Sequence, residues 1–197
     1  MSLNILISVG LGICLGYFAL PPSISGATDI VVDAGLMILL FFVGIDIGRH
    51  QDVIEKIKKI GFKILLIPFA IICGSLIGGI VGGVILGIPV KYASAVGSGM
   101  GWYTLSSILL SNYSTEISTL AFLSNVVREI IALITIPIIA KYIGKYEAIA
   151  PAGATAMDTC LPIISSSTDS ETSIIAFITG VICTMSVPII IPLILNL

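Results

Sequence analysis

The chain has 197 residues, of which 57% are hydrophobic and 10% are charged, and its mean hydropathy is +1.17. Soluble domains carry about 25% charged residues, so this chain has too few charges to cover a water-soluble globule of its length. The composition therefore indicates an integral membrane protein. A net charge of −2 without a basic patch excludes a nucleic-acid-binding class.

Cysteine and histidine offer no enzyme or metal chemistry in this sequence. The four cysteines lie in apolar runs without a CxxC spacing, and the single histidine, His50, stands beside a polar loop. Cysteines in such surroundings behave as small buried hydrophobic residues. We therefore expect no catalytic residues, no metal and no cofactor.

Five stretches are long and apolar enough to cross a bilayer, which takes about 20 residues. They cover about residues 3–20, 28–48, 62–88, 117–139 and 172–197 of what we interpret as a single membrane-embedded domain, 1–197. The polar loop at about 49–62 carries Arg49 and three lysines. Because cytoplasmic loops are enriched in Lys and Arg, this loop is predicted to be cytoplasmic, which also places the N-terminus inside.

Two further stretches, about 91–111 and 149–168, are interrupted by glycine, proline and hydroxyl residues. Irregular backbone at membrane depth occurs only where protein buries it or where it lines a cavity. If both stretches are re-entrant, Lys141 and Lys145 lie in the cytoplasm and the C-terminus lies outside. The predicted fold is all-α, with about five transmembrane helices and two opposed broken hairpins, as in transporters. Seven ordinary helices are the alternative.

Arg128 and Glu129 lie at the centre of the span 117–139. Charges at this depth cost about 2.5–3.5 kcal/mol each, so they are paired or face a cavity. Asn125 lies one turn before Glu129 on the same face. We expect Asp158 to meet Arg128, which leaves one surplus carboxylate for a cation or a proton. An internal clamp that binds nothing is the structural alternative.

The broken hairpins add hydroxyl and aromatic side chains to this candidate substrate and proton site. Helix–helix hydrogen bonding would explain the hydroxyls equally well, and an interfacial anchor would explain the tryptophan. Asp46 ends the second span and is interpreted as an interfacial charge, with a gate as the alternative. The hairpin candidates are Ser98, Trp102, Tyr103, Thr104, Thr155, Asp158 and Thr159.

Four stretches together resemble the LysO family of lysine exporters. They are LMILLFFVGIDIG (36–48), AVGSGMGWYTLSSILL (95–110), AFLSNVVREIIALITIPII (121–139) and GATAMDTCLPII (153–164). The resemblance implies a multi-pass protein of the cell membrane that exports L-lysine and close cationic analogues, energised by the proton gradient. It also implies intramembrane acidic residues as working groups, which Glu129 matches.

The chain differs from the family pattern at the N-terminus, where family members usually carry additional membrane helices. We therefore expect either a homodimer or a separate small membrane subunit to complete the transporter within the lipid bilayer. Protons are the expected coupling ion, and sodium stays open. The alternatives are a scaffold or regulatory subunit of a two-component transporter, and a cation/proton antiporter without an amino-acid substrate. An intramembrane protease using Asp46 and Asp158 is the least favoured, because no protease motif surrounds them.

Overall fold

The computed structural model describes residues 61–196 continuously and, before them, only the isolated positions Leu11, Cys14, Ala34, Ile38, Phe41 and Ile45. The predicted spans 3–20 and 28–48 therefore lie, apart from those positions, outside the described residues, as does Asp46. The chain divides into Met1–His50 and Gln51–Leu197, and the architecture below is that of the second unit. The described part of this unit is helical throughout, without a β-strand.

Within the described residues, three long apolar helices are able to cross a membrane: α1 (Leu66–Leu86), α4 (Thr115–Tyr142) and α6 (Ser170–Asn196). They correspond to the spans predicted at 62–88, 117–139 and 172–197, and these three predictions are confirmed as membrane-capable helices. At 1.5 Å per residue, the 28 residues of α4 extend about 42 Å, longer than the ~30 Å hydrocarbon layer. Its middle residues therefore lie far from either interface.

The ends of α1 and α4 follow local sequence signals. α1 ends at Gly87, whose left-handed φ of 70° lets its N–H bond back to the carbonyls of Gly83 and Val84. α4 begins after Ser114, whose Oγ accepts the N–H of Ile117 at 3.4 Å. These caps satisfy backbone groups that a helix end would otherwise leave unpaired.

The first broken segment, residues 90–111, consists of α2 (Val90–Gly97) and α3 (Tyr103–Ser111). Between them the chain turns through Met100 (φ 48°) and Gly101 (φ 102°), both in left-handed conformations that end helical propagation. The predicted interruption of 91–111 is therefore confirmed. Its re-entrant path through the membrane stays a prediction.

The second broken segment, residues 147–167, contains two short 3₁₀ helices, Glu147–Ile149 and Gly153–Met157, followed by α5 (Leu161–Ser167). The predicted interruption of 149–168 is thus also confirmed. Both broken segments pack against α4 and α6, and side chains of both segments are fully buried, among them Met100, Ile149 and Ile164. Gly79 of α1 approaches Gly97 of α2 so closely that a Cβ on Gly79 would lie 2.9 Å from the Gly97 Cα.

Candidate functional site

Asn125, at the middle of α4, holds the first broken segment. Its Oδ1 accepts the N–H of Gly101 at 2.7 Å, and its Nδ2 donates to the carbonyl of Ala121 at 2.8 Å. The Gly101 N–H belongs to non-helical backbone, so without Asn125 it would be a buried donor lacking a partner. Asn125 is itself only 3% exposed. Asn125 therefore stabilises the turn of the first broken segment by accepting its buried N–H.

Arg128, one turn further along α4, holds the second broken segment. Its Nε donates to the carbonyl of Pro151 at 3.0 Å, and its Nη2 donates to that of Ala150 at 3.3 Å. Its Nη1 donates to Ser75 Oγ of α1 at 2.8 Å. The guanidinium thus ties unwound carbonyls to a neighbouring helix.

The predicted pairing of Arg128 with Asp158 is wrong. Among the described residues the ion pair formed is that of Lys145 with Asp169, and Arg128 bonds to neutral acceptors instead. The physical reason is that the unwound backbone presents free carbonyl oxygens, and the five N–H donors of a guanidinium can bond to these acceptors just as they can to a carboxylate.

The two broken segments contact each other directly at the middle of the fold. The N–H of Ala154 donates to the carbonyl of Met100 at 2.8 Å. Gly153 has a left-handed φ of 62°, and a Cβ there would lie 2.5 Å from the Met100 oxygen and 2.9 Å from Arg128 Nη2. Glycine at 153 is therefore required both by backbone conformation and by the close approach of the two segments.

Beside this crossing lies a cavity of about 170 Å³, here called the acidic cavity. It receives Glu129 from α4, Asp158 from the second broken segment and Trp102 from the first. Glu129 is the fifteenth of the 28 residues of α4, so the cavity lies near the middle of that helix. The remaining lining residues are Gly101, Tyr103, Thr104, Ala154, Thr155, Met157, Thr159 and Thr184.

Hydroxyl groups surround the two carboxylates of the acidic cavity. Asp158 Oδ1 accepts the backbone N–H of Thr159 at 2.6 Å and its Oγ1–H at 3.3 Å. The same Thr159 side chain also interacts with the Glu129 carboxyl. Thr159 therefore faces both acids, and these groups can bind an ammonium group or share protons.

Two other cavities lie on the opposite side of Arg128. One of about 900 Å³ lies between α1 and α4 with a mainly aliphatic lining, and one of about 340 Å³ adjoins the glycines of α1. Arg128 lines both of these cavities, whereas Glu129 lines the acidic cavity. The two adjacent charged residues of α4, Arg128 and Glu129, therefore line different cavities.

The structure brings together seven of the predicted site residues and leaves three apart. Ser98 is 1% exposed, and its Oγ donates to the Ala95 carbonyl at 2.8 Å, away from the acidic cavity. Asn125 and Arg128 bond to the broken segments, as described above. The seven residues that line the acidic cavity are Trp102, Tyr103, Thr104, Glu129, Thr155, Asp158 and Thr159.

Sequence reasoning missed Met157 and Thr184 in the cavity lining and Ser75 as a partner of Arg128. Thr184 and Ser75 are polar residues inside long apolar helices, which is the one signal that could have identified them. That signal is weak, because hydroxyl side chains in membrane helices commonly bond to their own backbone.

A polar cluster ties the end of α4 to the start of α6, outside the membrane-spanning helices. Lys145 Nζ donates to Asp169 Oδ2 at 2.7 Å, and the Oδ1 of Asp169 accepts the Thr172 N–H at 2.8 Å. Asp169 is thus the cap of α6. Burial works to raise the pKa of Asp169, but the hydrogen bonds from Lys145 and Thr172 outweigh it and lower that pKa. The bond to Asp169 raises the pKa of Lys145.

Comparisons with known proteins identify the family. The family model described as "Lysine exporter LysO" matches residues 6–195. The Escherichia coli K12 lysine exporter LysO is 32% identical over 157 residues, which are 79% of this chain and 52% of the relative. A provisionally named lysine exporter of Haemophilus influenzae is 34% identical over 155 residues, 78% of each chain.

The chain thus spans about half the length of the Escherichia coli relative. No solved structure matches it significantly. The family is one of membrane transporters and not of enzymes, which agrees with three membrane-capable helices and with broken segments around a polar cavity. On these grounds the chain is a membrane protein that belongs to the lysine exporter LysO family.

Proposed function

We propose that this chain exports L-lysine from the cytoplasm across the cell membrane in exchange for protons, with the acidic cavity as its binding site. The observation that carries the proposal is the meeting of Glu129 and Asp158 with both broken segments near the middle of α4. Ionisable residues at this depth are costly, and in transporters they mark the substrate or ion pathway. The relatives named as lysine exporters support lysine as the substrate.

The two carboxylates give the proposal its mechanism. When Glu129 and Asp158 are ionised, they attract a lysine ammonium group, whose N–H groups also find acceptors in the hydroxyls of Thr155 and Thr159. Protons arriving from the outside neutralise the carboxylates and remove that attraction, so the lysine leaves. Loss of those protons to the cytoplasm restores the empty, ionised site.

The test is lysine flux in proteoliposomes with an imposed pH gradient. Glu129→Gln and Asp158→Asn keep the side-chain shape but remove the charge. A hydrogen bond to a charged group contributes about 1.5–3 kcal/mol, so we expect each variant to lose about tenfold to a hundredfold in apparent affinity. Glu116→Gln, an exposed glutamate at the start of the same helix, is the matched control and should transport like the wild type. Full gradient-driven efflux by Glu129→Gln would refute the proposed role.

The same vesicles separate the other candidate functions. Flux driven by a sodium gradient and unaffected by lysine would favour a cation/proton antiporter. A well-folded chain that moves neither lysine nor protons would favour a scaffold or regulatory subunit, and addition of a second membrane subunit would then be required for flux.

We further propose that the 197 residues form one transporter domain with the N-terminus in the cytoplasm, the C-terminus outside and the two broken segments re-entrant from opposite sides. This topology keeps Lys141 and Lys145 on the cytoplasmic side. Single-cysteine labelling at Tyr113, which is 51% exposed between α3 and α4, tests it. A cysteine there should react with an impermeant reagent from outside the cell, whereas one at Tyr142 should not.

The working unit is proposed to be a homodimer or a complex with a separate small membrane subunit. Mass measurement of the chain in nanodiscs, together with flux per chain, tests it. A monomer with full lysine flux would refute it.

A further inference from the structure

Among the lining residues of the acidic cavity that the structure describes, the charged side chains are acidic and none is basic. Among its described lining residues, Glu129 and Asp158 are the charged groups, and the rest are hydroxyl, aromatic or small side chains. The nearby cation on α4, Arg128, lines the other two cavities, and its donors go to Ser75, Ala150 and Pro151. Within the described lining, a ligand in the acidic cavity therefore meets two carboxylates and no side-chain cation.

The start of α3 lines this cavity together with the two acids. Trp102, Tyr103 and Thr104 form that start. The Tyr103 N–H already donates to the Gly101 carbonyl at 3.0 Å. Negative charge near a helix N-terminus is stabilised by the helix dipole, and two such charges, Glu129 and Asp158, already line the same cavity. The α-carboxylate of an amino acid would add a third negative charge to the same space.

The size of the cavity leads to the same conclusion. At about 30 Å³ per water molecule, 170 Å³ corresponds to roughly six waters. Pockets that enclose a whole drug-sized ligand usually measure about 300–1,000 Å³. The acidic cavity therefore has room for one ammonium group and part of its alkyl chain. The aromatic ring of Tyr103, held edge-on against Phe122 at 5.4 Å between ring centres, gives that chain a fixed apolar wall.

We propose that the acidic cavity recognises an alkylammonium group alone, so that its ligands include linear alkyl diamines such as 1,5-diaminopentane, which has no carboxylate. This inference rests on the proposed function in taking Glu129 and Asp158 as the cation-binding groups. It goes further in assigning no recognition to the carboxylate of the substrate.

The experiment is equilibrium binding of radiolabelled 1,5-diaminopentane to the full chain in nanodiscs of zwitterionic lipid, with empty nanodiscs as the blank. L-lysine and L-norleucine are the competitors. Norleucine keeps the α-amino and carboxylate groups of lysine but ends in a methyl group instead of an ammonium. We expect the diamine to bind within about threefold of lysine, and norleucine to compete at least about tenfold more weakly than lysine.

Each outcome decides the inference. Because the ligand series uses the wild-type protein, the result does not depend on whether a variant folds. A diamine that fails to bind, or norleucine competing as well as lysine, would overturn the inference. Diamine binding left unchanged in Glu129→Gln and Asp158→Asn would also overturn it, since the ligand would then bind elsewhere; Glu116→Gln should bind normally. Diamine binding without lysine binding would support the inference and refute lysine as the substrate, so the two failures are distinguishable.

Discussion

Replacing Arg128 with methionine distinguishes a structural guanidinium from one that binds substrate. The change removes three hydrogen bonds, to Ser75 at 2.8 Å, Pro151 at 3.0 Å and Ala150 at 3.3 Å. Hydrogen bonds between membrane helices contribute on average about 0.6 kcal/mol each, so the loss of three should lower the free energy of unfolding by at least about 2 kcal/mol. Two short bonds to a charged group at ~3 kcal/mol each give an upper value of about 6 kcal/mol. Methionine fills most of the same volume, so little of the loss comes from packing.

The assay is reversible unfolding in mixed micelles, followed through the fluorescence of Trp102, the one tryptophan of the chain. Arg128→Met should lower the free energy of unfolding by about 2–6 kcal/mol. Arg128→Lys should lose less, although a single ammonium cannot span acceptors on two elements as the guanidinium does. Lys141→Met, at the exposed end of the same helix, is the control and should change little. Unchanged stability of Arg128→Met together with a large loss of lysine affinity would refute the structural role.

Three further substitutions test the crossing of the broken segments and the cap of α6. Asn125→Leu leaves the Gly101 N–H unpaired and should cost about 1–3 kcal/mol of unfolding free energy in the same assay; an unchanged value would contradict the role of Asn125. Gly153→Ala should abolish the folded peak in size-exclusion chromatography, whereas Gly82→Ala, where a Cβ meets nothing within 4 Å, should not. Asp169→Ala should cost about 1 kcal/mol at pH 7 through the lost cap. Because the folded state lowers the pKa of Asp169, its contribution is present above its unfolded pKa of ~3.9 and is lost as the pH falls through the folded value. The cost should therefore shrink at low pH, and a cost that grows there would contradict the assignment.

Sequence composition was sufficient to predict α1, α4 and α6 and the two interruptions. Mean hydropathy and span length located α1, α4 and α6, since an apolar run of 20 residues or more is long enough to cross the hydrocarbon layer as a helix. Clusters of glycine, proline and hydroxyl residues located the broken segments, because together they interrupt the apolar pattern expected of a lipid-facing helix. These predictions depended only on the residues within each stretch and not on tertiary contacts.

The side-chain partners could not be predicted from residue types in the same way. Charge complementarity paired Arg128 with Asp158, but the acceptors that Arg128 meets are the carbonyls of Ala150 and Pro151. Every residue carries a carbonyl, and only the folded backbone shows which ones are free of helical bonds. Ser98 illustrates the same difficulty, since its hydroxyl is satisfied by the Ala95 carbonyl within its own turn. Partners of this kind depend on tertiary structure.

Arg128 and Glu129 are adjacent in α4 but contact different parts of the molecule: Arg128 bonds to the second broken segment, and Glu129 lines the acidic cavity. Successive residues of a helix point about 100° apart, so one helix turns its cation toward the second broken segment and its acid toward the acidic cavity. If Arg128 faced the acidic cavity, it would neutralise one carboxylate and weaken the attraction for an ammonium group. Because the charge of Arg128 is instead satisfied by neutral acceptors, it is not spent on Glu129 or Asp158, as the proposed exchange of a cation for protons requires. The acceptors supplied by the broken backbone thus hold Arg128 outside the lining of the acidic cavity.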